Sequence, residues 1–157
     1  MKKTFVEAII AGVLLAALCG CTAKQTDIVL DVNTAADALK SAVVFQDEMT
    51  ELPLQMIGNI YELDEQDFVQ AKIYVSTGAT AEEIAVFEAK DEKNAAKIYS
   101  AAENRISDQI GAFQDYAPKE IAKLESPVLM QEGKYVFLCI SNENAKAQET
   151  ITKIIHK

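Results

Sequence analysis

The sequence predicts an α+β domain built on a four-stranded antiparallel sheet, and three observations predict it. Residues 68–76 and 83–89 both pattern as strands, and the turn-forming run TGATAEE joins them. A second pair, PVLMQ and KYVFLCIS, flanks Glu132-Gly133. After each pair comes a segment whose apolar residues recur every three or four positions, which is the spacing of one helix face. The order is strand, turn, strand, helix, twice. The expected architecture joins both units in one sheet, packs the helices on one face, and sets two N-terminal helices alongside or at an edge.

The elements follow in chain order. Residues 32–45 carry Val32, Ala36, Leu39 and Val43 on one helical face, with Asn33 or Thr34 as the cap. Residues 53–63 start at a proline suited to a first helical turn, and Met56, Ile57, Ile60 and Tyr61 form the next apolar face. In FVQAKIYVS, Val69, Ala71, Ile73 and Val75 alternate with Gln70, Lys72 and Tyr74, the signature of a half-buried strand. EIAVFEA returns beside it, and Asp91 caps a long helix with Ala95, Tyr99, Ala102, Ile106, Ile110 and Phe113 inward, ending before Pro118. PKEIAKLE adds a turn or two of helix. The second hairpin turns at Glu132-Gly133. Ser141 or Asn142 then caps a last helix with Ala147, Ile151, Ile154 and Ile155 inward. Aligning residues 83–97 on 134–148 matches apolar positions and caps, with few identities, so the repeat is one of topology.

The N-terminus reads as a targeting segment. Lys2 and Lys3 precede an apolar run from Ala8 to Leu18, about 16 Å as a helix and therefore about half a bilayer core. That length suits a cleaved signal better than a permanent span. Leu18-Cys19-Gly20-Cys21 resembles the lipobox of bacterial lipoproteins. The resemblance implies cleavage before Cys21 and acylation of its sulfur, since Cys19 would need the bulky Leu18 in the small-residue slot. The domain plan is thus a signal peptide at 1–20, a lipidated tether at 21–31 and one globular domain at 32–157. Two acyl chains hold a protein stably at a bilayer. Losing two lysines and one glutamate with residues 1–20 takes the net charge from −9 to −10. Anionic headgroups repel such a body, so lipid alone is expected to hold it.

The chemistry searched for is mostly missing. Fifteen cations are scattered, only one of them an arginine (Arg105), so no phosphate-binding stripe forms and nucleic acid is not an expected partner. His156 is the sole histidine, which removes the usual zinc sites and His-based triads. No phosphate-cradling glycine loop occurs. The acidic run ELDEQD lacks the spacing and glycine of a calcium loop and reads as a solvated turn. Cys139 lies in an apolar strand and reads as a buried core residue. No metal site, cofactor or catalytic residue is therefore assigned. The best contact surface is the loop with Ser76, Thr77, Gly78 and Thr80, near Tyr74 and Phe87, although a plain hairpin turn with Gly78 at positive φ is the simpler account of these residues.

Residues 61–98 carry a wider pattern. Tyr61, Leu63 and Asp64 precede a strand. Ser76 to Ala81, Glu83 to Phe87, and Lys90-Asp91 at the head of a long helix then follow. This resembles an uncharacterised family of Gram-positive bacterial lipoproteins, the domain of unknown function 4358, across most of residues 31–156. The resemblance implies an extracytoplasmic address and one compact domain, and no activity. The expected role is a membrane-anchored interaction or binding module with an envelope protein as partner. Two alternatives are a cell-wall hydrolase using paired carboxylates and a small-ligand carrier with a cavity of about 300 Å³ or more.

Overall fold

The structure is a computed structural model and describes residues 28–157. The expected signal peptide at 1–20 and the expected lipid site Cys21 lie outside the described residues. The elements are α1 (Val32–Ala42), β1 (Thr50–Glu51), a 3₁₀ turn at Leu54–Met56, α2 (Ile57–Tyr61), β2 (Phe68–Val75) and β3 (Glu83–Ala89). Then come α3 (Glu92–Tyr116), a 3₁₀ turn at Pro118–Glu120, α4 (Ile121–Leu124), β4 (Val128–Glu132), β5 (Tyr135–Ile140) and α5 (Asn144–Ile155).

The fold is α+β with an antiparallel sheet, as the patterning predicts, but the sheet has five strands rather than four, in the order β1-β2-β3-β5-β4. The extra strand is the two-residue β1, which pairs Thr50 with Val75 and Glu51 with Tyr74. Two residues are too few to show an alternation, so periodicity could not reveal it. The two hairpins join through β3 and β5, with Glu83 opposite Ile140 and Glu88 opposite Tyr135.

A second correction concerns the layers. The helices do not share one face. Phe87, Ala85, Ile73, Val136 and Leu138 pack with Ile57, Ile98, Ala102 and Leu124 from α2, α3 and α4. Ile84, Val86, Phe137 and Cys139 pack on the other face with Val32, Ala36, Leu39, Ala147 and Ile151 from α1 and α5. The physical reason lies in the central strands. All six residues of β5 are buried, and six of the seven in β3 are, so both sheet faces need a cover. The repeat is therefore one of element order, because α3 and α5 lie on opposite sides.

Smaller differences have local causes. Asp31, not Asn33 or Thr34, caps α1 by accepting from the Thr34 N–H at 2.6 Å. Pro53 stands before a 3₁₀ turn rather than inside an α-helix. A bulge between Phe68 and Gln70 turns Val69 outward, leaving it 57% exposed, and lets Phe68 stack edge-on to Phe87. Asp91 caps α3 as expected, accepting from the Asn94 N–H at 2.8 Å. Ser141 serves the last helix indirectly, its hydroxyl accepting from the Glu143 N–H at 3.0 Å.

Cys139 is fully buried, and burial pushes its thiol up to about 12. Thiolate is the reactive species. Iodoacetamide is therefore expected to leave Cys139 unmodified in native buffer and to alkylate it in denaturing urea, read from the mass of its tryptic peptide. Rapid native alkylation would contradict the packing of β5.

Candidate functional site

The site grows from the turn between β2 and β3. Gly78 adopts φ +93°, which only glycine takes without strain, so the chain reverses there. The Ser76 hydroxyl donates to the Thr80 carbonyl at 2.5 Å and closes the loop. Thr77 donates from both its N–H and its hydroxyl to Asp47, at 2.9 and 2.5 Å. Those bonds, the Thr77 hydroxyl first, hold the Asp47 carboxyl below its ordinary range. The structure thus brings Ser76, Thr77, Gly78 and Thr80 together at one end of the sheet, with the hydroxyls of Ser76, Thr77 and Thr80 all engaged within the protein. Tyr74 and Phe87 do not add an exposed aromatic surface, because both are buried.

Behind the loop, the consecutive carboxylates Glu82 and Glu83 stand at the start of β3 and take different partners. Glu83 points toward α3. It accepts from Arg105 at 2.8 Å, from Gln109 at 2.6 Å and from the Tyr61 hydroxyl. Burial, then the negative charge of Glu83 and its hydrogen bond, drive the Tyr61 phenol well above its ordinary pKa, which keeps it a donor. Burial opposes the charge on Arg105, but Glu83 outweighs it and raises the guanidinium pKa. Glu83, Arg105, Gln109 and Phe113 line, with the loop, a cavity of about 220 Å³.

Glu82 has a separate set of partners. It accepts from the backbone N–H groups of Gln46 and Asp47 at 2.9 and 3.1 Å, and from the Thr80 hydroxyl at 3.0 Å. Lys123 approaches it at 3.2 Å. The same ammonium donates to Glu120 and to the Gln46 side chain, both at 2.9 Å, while Glu120 accepts from the Ala81 N–H at 2.9 Å. Glu82, Glu120 and Lys123 are almost wholly buried. Burial works against the Glu120 carboxylate. The Lys123 hydrogen bond, the Ala81 N–H and the charges of Lys123 and Lys119 outweigh it and hold its pKa low.

Sequence reading found the loop and missed this charged floor. Its signals were faint but present. Glu82 and Glu83 stand directly before the apolar run Ile84–Phe87, and Gln109 continues the heptad of Ala95 and Ala102 where an apolar residue belongs. Arg105 and Gln109 are four apart, and Glu120 and Lys123 three apart, so each pair shares a helical face.

The site stands at a defined end of the molecule. Leu30, where the N-terminal segment enters, donates its N–H to the Tyr135 hydroxyl at 3.0 Å. Tyr135 pairs with Glu88, at the opposite end of β3 from Glu83. Seven residues of strand, about 20 Å, separate the two ends. Between segment 28–31, α1 and the end of α5 lies a second concavity, an apolar groove of about 500 Å³.

In the acidic stretch 62–67, Glu62, Asp64 and Glu65 are exposed, as a solvated turn requires, and Asp67 is the exception. Asp67 is buried, accepting from Lys97 at 2.7 Å and from the Asp64 N–H at 2.8 Å. The Lys97 bond, against burial, lowers its pKa. Among the described residues no group of histidines, cysteines and carboxylates could hold a metal ion, and no helix is long and apolar enough to cross a membrane. Residues 41–141 match the family model described as a domain of unknown function, DUF4358. No curated protein and no solved structure matches the chain.

Proposed function

The chain belongs to the DUF4358 family, and from that premise we propose that it is a lipid-anchored interaction module on the outer face of the cytoplasmic membrane. It is tethered through Cys21, as in the Gram-positive lipoproteins it resembles, and it meets an envelope protein with its β2–β3 hairpin end. The observation that carries this reading is the polarity of the fold. The loop of Ser76, Thr77, Gly78 and Thr80 stands at the end opposite Leu30, where a tether from Cys21 would join. The carboxylates behind that loop favour a binding role over catalysis. Glu82, Glu83 and Glu120 each accept several internal hydrogen bonds, so none has the freedom of a general acid or base. The cavity of about 220 Å³ beneath the loop is also below the usual size for a small-molecule site.

The test combines anchor and contact. Growth with a labelled fatty acid should mark the protein, and Cys21→Ser should abolish the label and release the protein from the membrane fraction. A photo-crosslinking residue at position 77 should return one reproducible envelope adduct that position 131, at the other end, does not. A label that survives Cys21→Ser, or identical adducts from both positions, would refute the reading.

A further inference from the structure

The groove at the tether end has one wall made of Ile28, Val29 and Leu30, and another made of Ile154 and Ile155 from α5. Ala38 of α1 lines it too. At its rim Val29 is 85% exposed, an apolar side chain standing in solvent where the domain begins. The polar groups nearby are few, and Asp31 is already committed to the Thr34 N–H. A site for a polar metabolite needs several convergent polar groups to orient it. This groove offers hydrocarbon surface instead.

Its position decides among apolar occupants. Residue 28 follows Cys21 by seven residues, a reach of about 25 Å at full extension. An anchor at Cys21 therefore keeps the groove close to the bilayer, and the wall formed by residues 28–30 is continuous with the tether itself. The mature charge of −10 supplies no net attraction to anionic headgroups, and Lys157 is the one cation lining the groove, so the contact this end offers is mainly apolar. We propose that this groove receives an acyl chain of the bilayer, so that the domain rests on its tether end with the β2–β3 hairpin turned outward. The inference rests on the lipid-anchor reading above.

The chain has no tryptophan, so one introduced indole reports alone. Full-length lipidated protein would be reconstituted into phosphatidylglycerol–phosphatidylcholine vesicles brominated midway along the acyl chains. Val29→Trp at the rim and Ala38→Trp within the groove are expected to lose roughly half their emission or more, as residues in the acyl region should. Tyr116→Trp, exposed at the far end of α3, should be unquenched. If all three behave alike while the intact mass carries lipid on residue 21, the groove inference is overturned and the anchor stands. If the mass carries no lipid there, both are overturned. Shielding of residues 29 and 38 from iodide as well as from bromine, with a doubled mass in sedimentation, would assign the groove to a second copy and overturn the proposal.

Discussion

Lys123→Met is expected to cost about 3–5 kcal/mol of folding stability, the range for removing one partner from a buried charge cluster. The ammonium is saturated by Glu82, Glu120 and the Gln46 side chain. Methionine fills similar volume and leaves both carboxylates buried without their counter-ion. Their backbone donors, from Gln46, Asp47 and Ala81, remain and cannot supply a charge. The loss should lower the thermal midpoint by about 10–20 °C, measured by circular dichroism. Adding Glu82→Gln and Glu120→Gln to Lys123→Met should recover a large part of that loss, because neutral amides do not need the ammonium. A Lys123→Met protein with wild-type stability would show that the cluster is not buried as described.

Phe87→Ala and Phe137→Ala should each cost about 3–5 kcal/mol, though the two rings never meet. Phe87 packs with Tyr61 and Phe68 on the α3 face, and Phe137 belongs to the core beneath α1 and α5. The rings lie on opposite faces of the sheet, so the costs should add to about 6–10 kcal/mol, which is comparable to the whole stability of an ordinary domain, and the double variant should be largely unfolded at room temperature. Urea titration of the single and double variants decides it. A negligible cost for Phe137→Ala would restore the single covered face expected from the repeat.

That expectation failed for a reason visible in the strands. Alternation in 68–76 is legible because Lys72 and Gln70 oppose Ile73 and Ala71, yet it does not mark a wet face: Gln70 is exposed, while Tyr74 on the same side is buried in the core with α1. In YVFLCI every position is apolar, and a run without alternation signals cover on both faces. The helices, the hairpins and the Asp91 cap were legible because periodicity and capping are local. The two-residue β1, the bulge at Phe68 and the Lys123 cluster were not, since they depend on partners such as Gln46 and Lys123, which are 77 residues apart. In the same way, the sequence marks the hairpin loop through Gly78 but not Arg105 or Gln109 behind it, which reach it only once α3 is docked.

The two margins of the sheet differ, and that bears on self-association. On one side β1 is two residues long, and the β2 edge beyond it carries the bulge and Lys72, features that discourage another strand from adding. On the other, β4 is a five-residue margin of mostly uncharged residues, with its charge only at Glu132. A sheet with one receptive margin pairs once, margin to margin. Among the described residues, pairing through the β4 margin therefore makes couples and does not extend the sheet further.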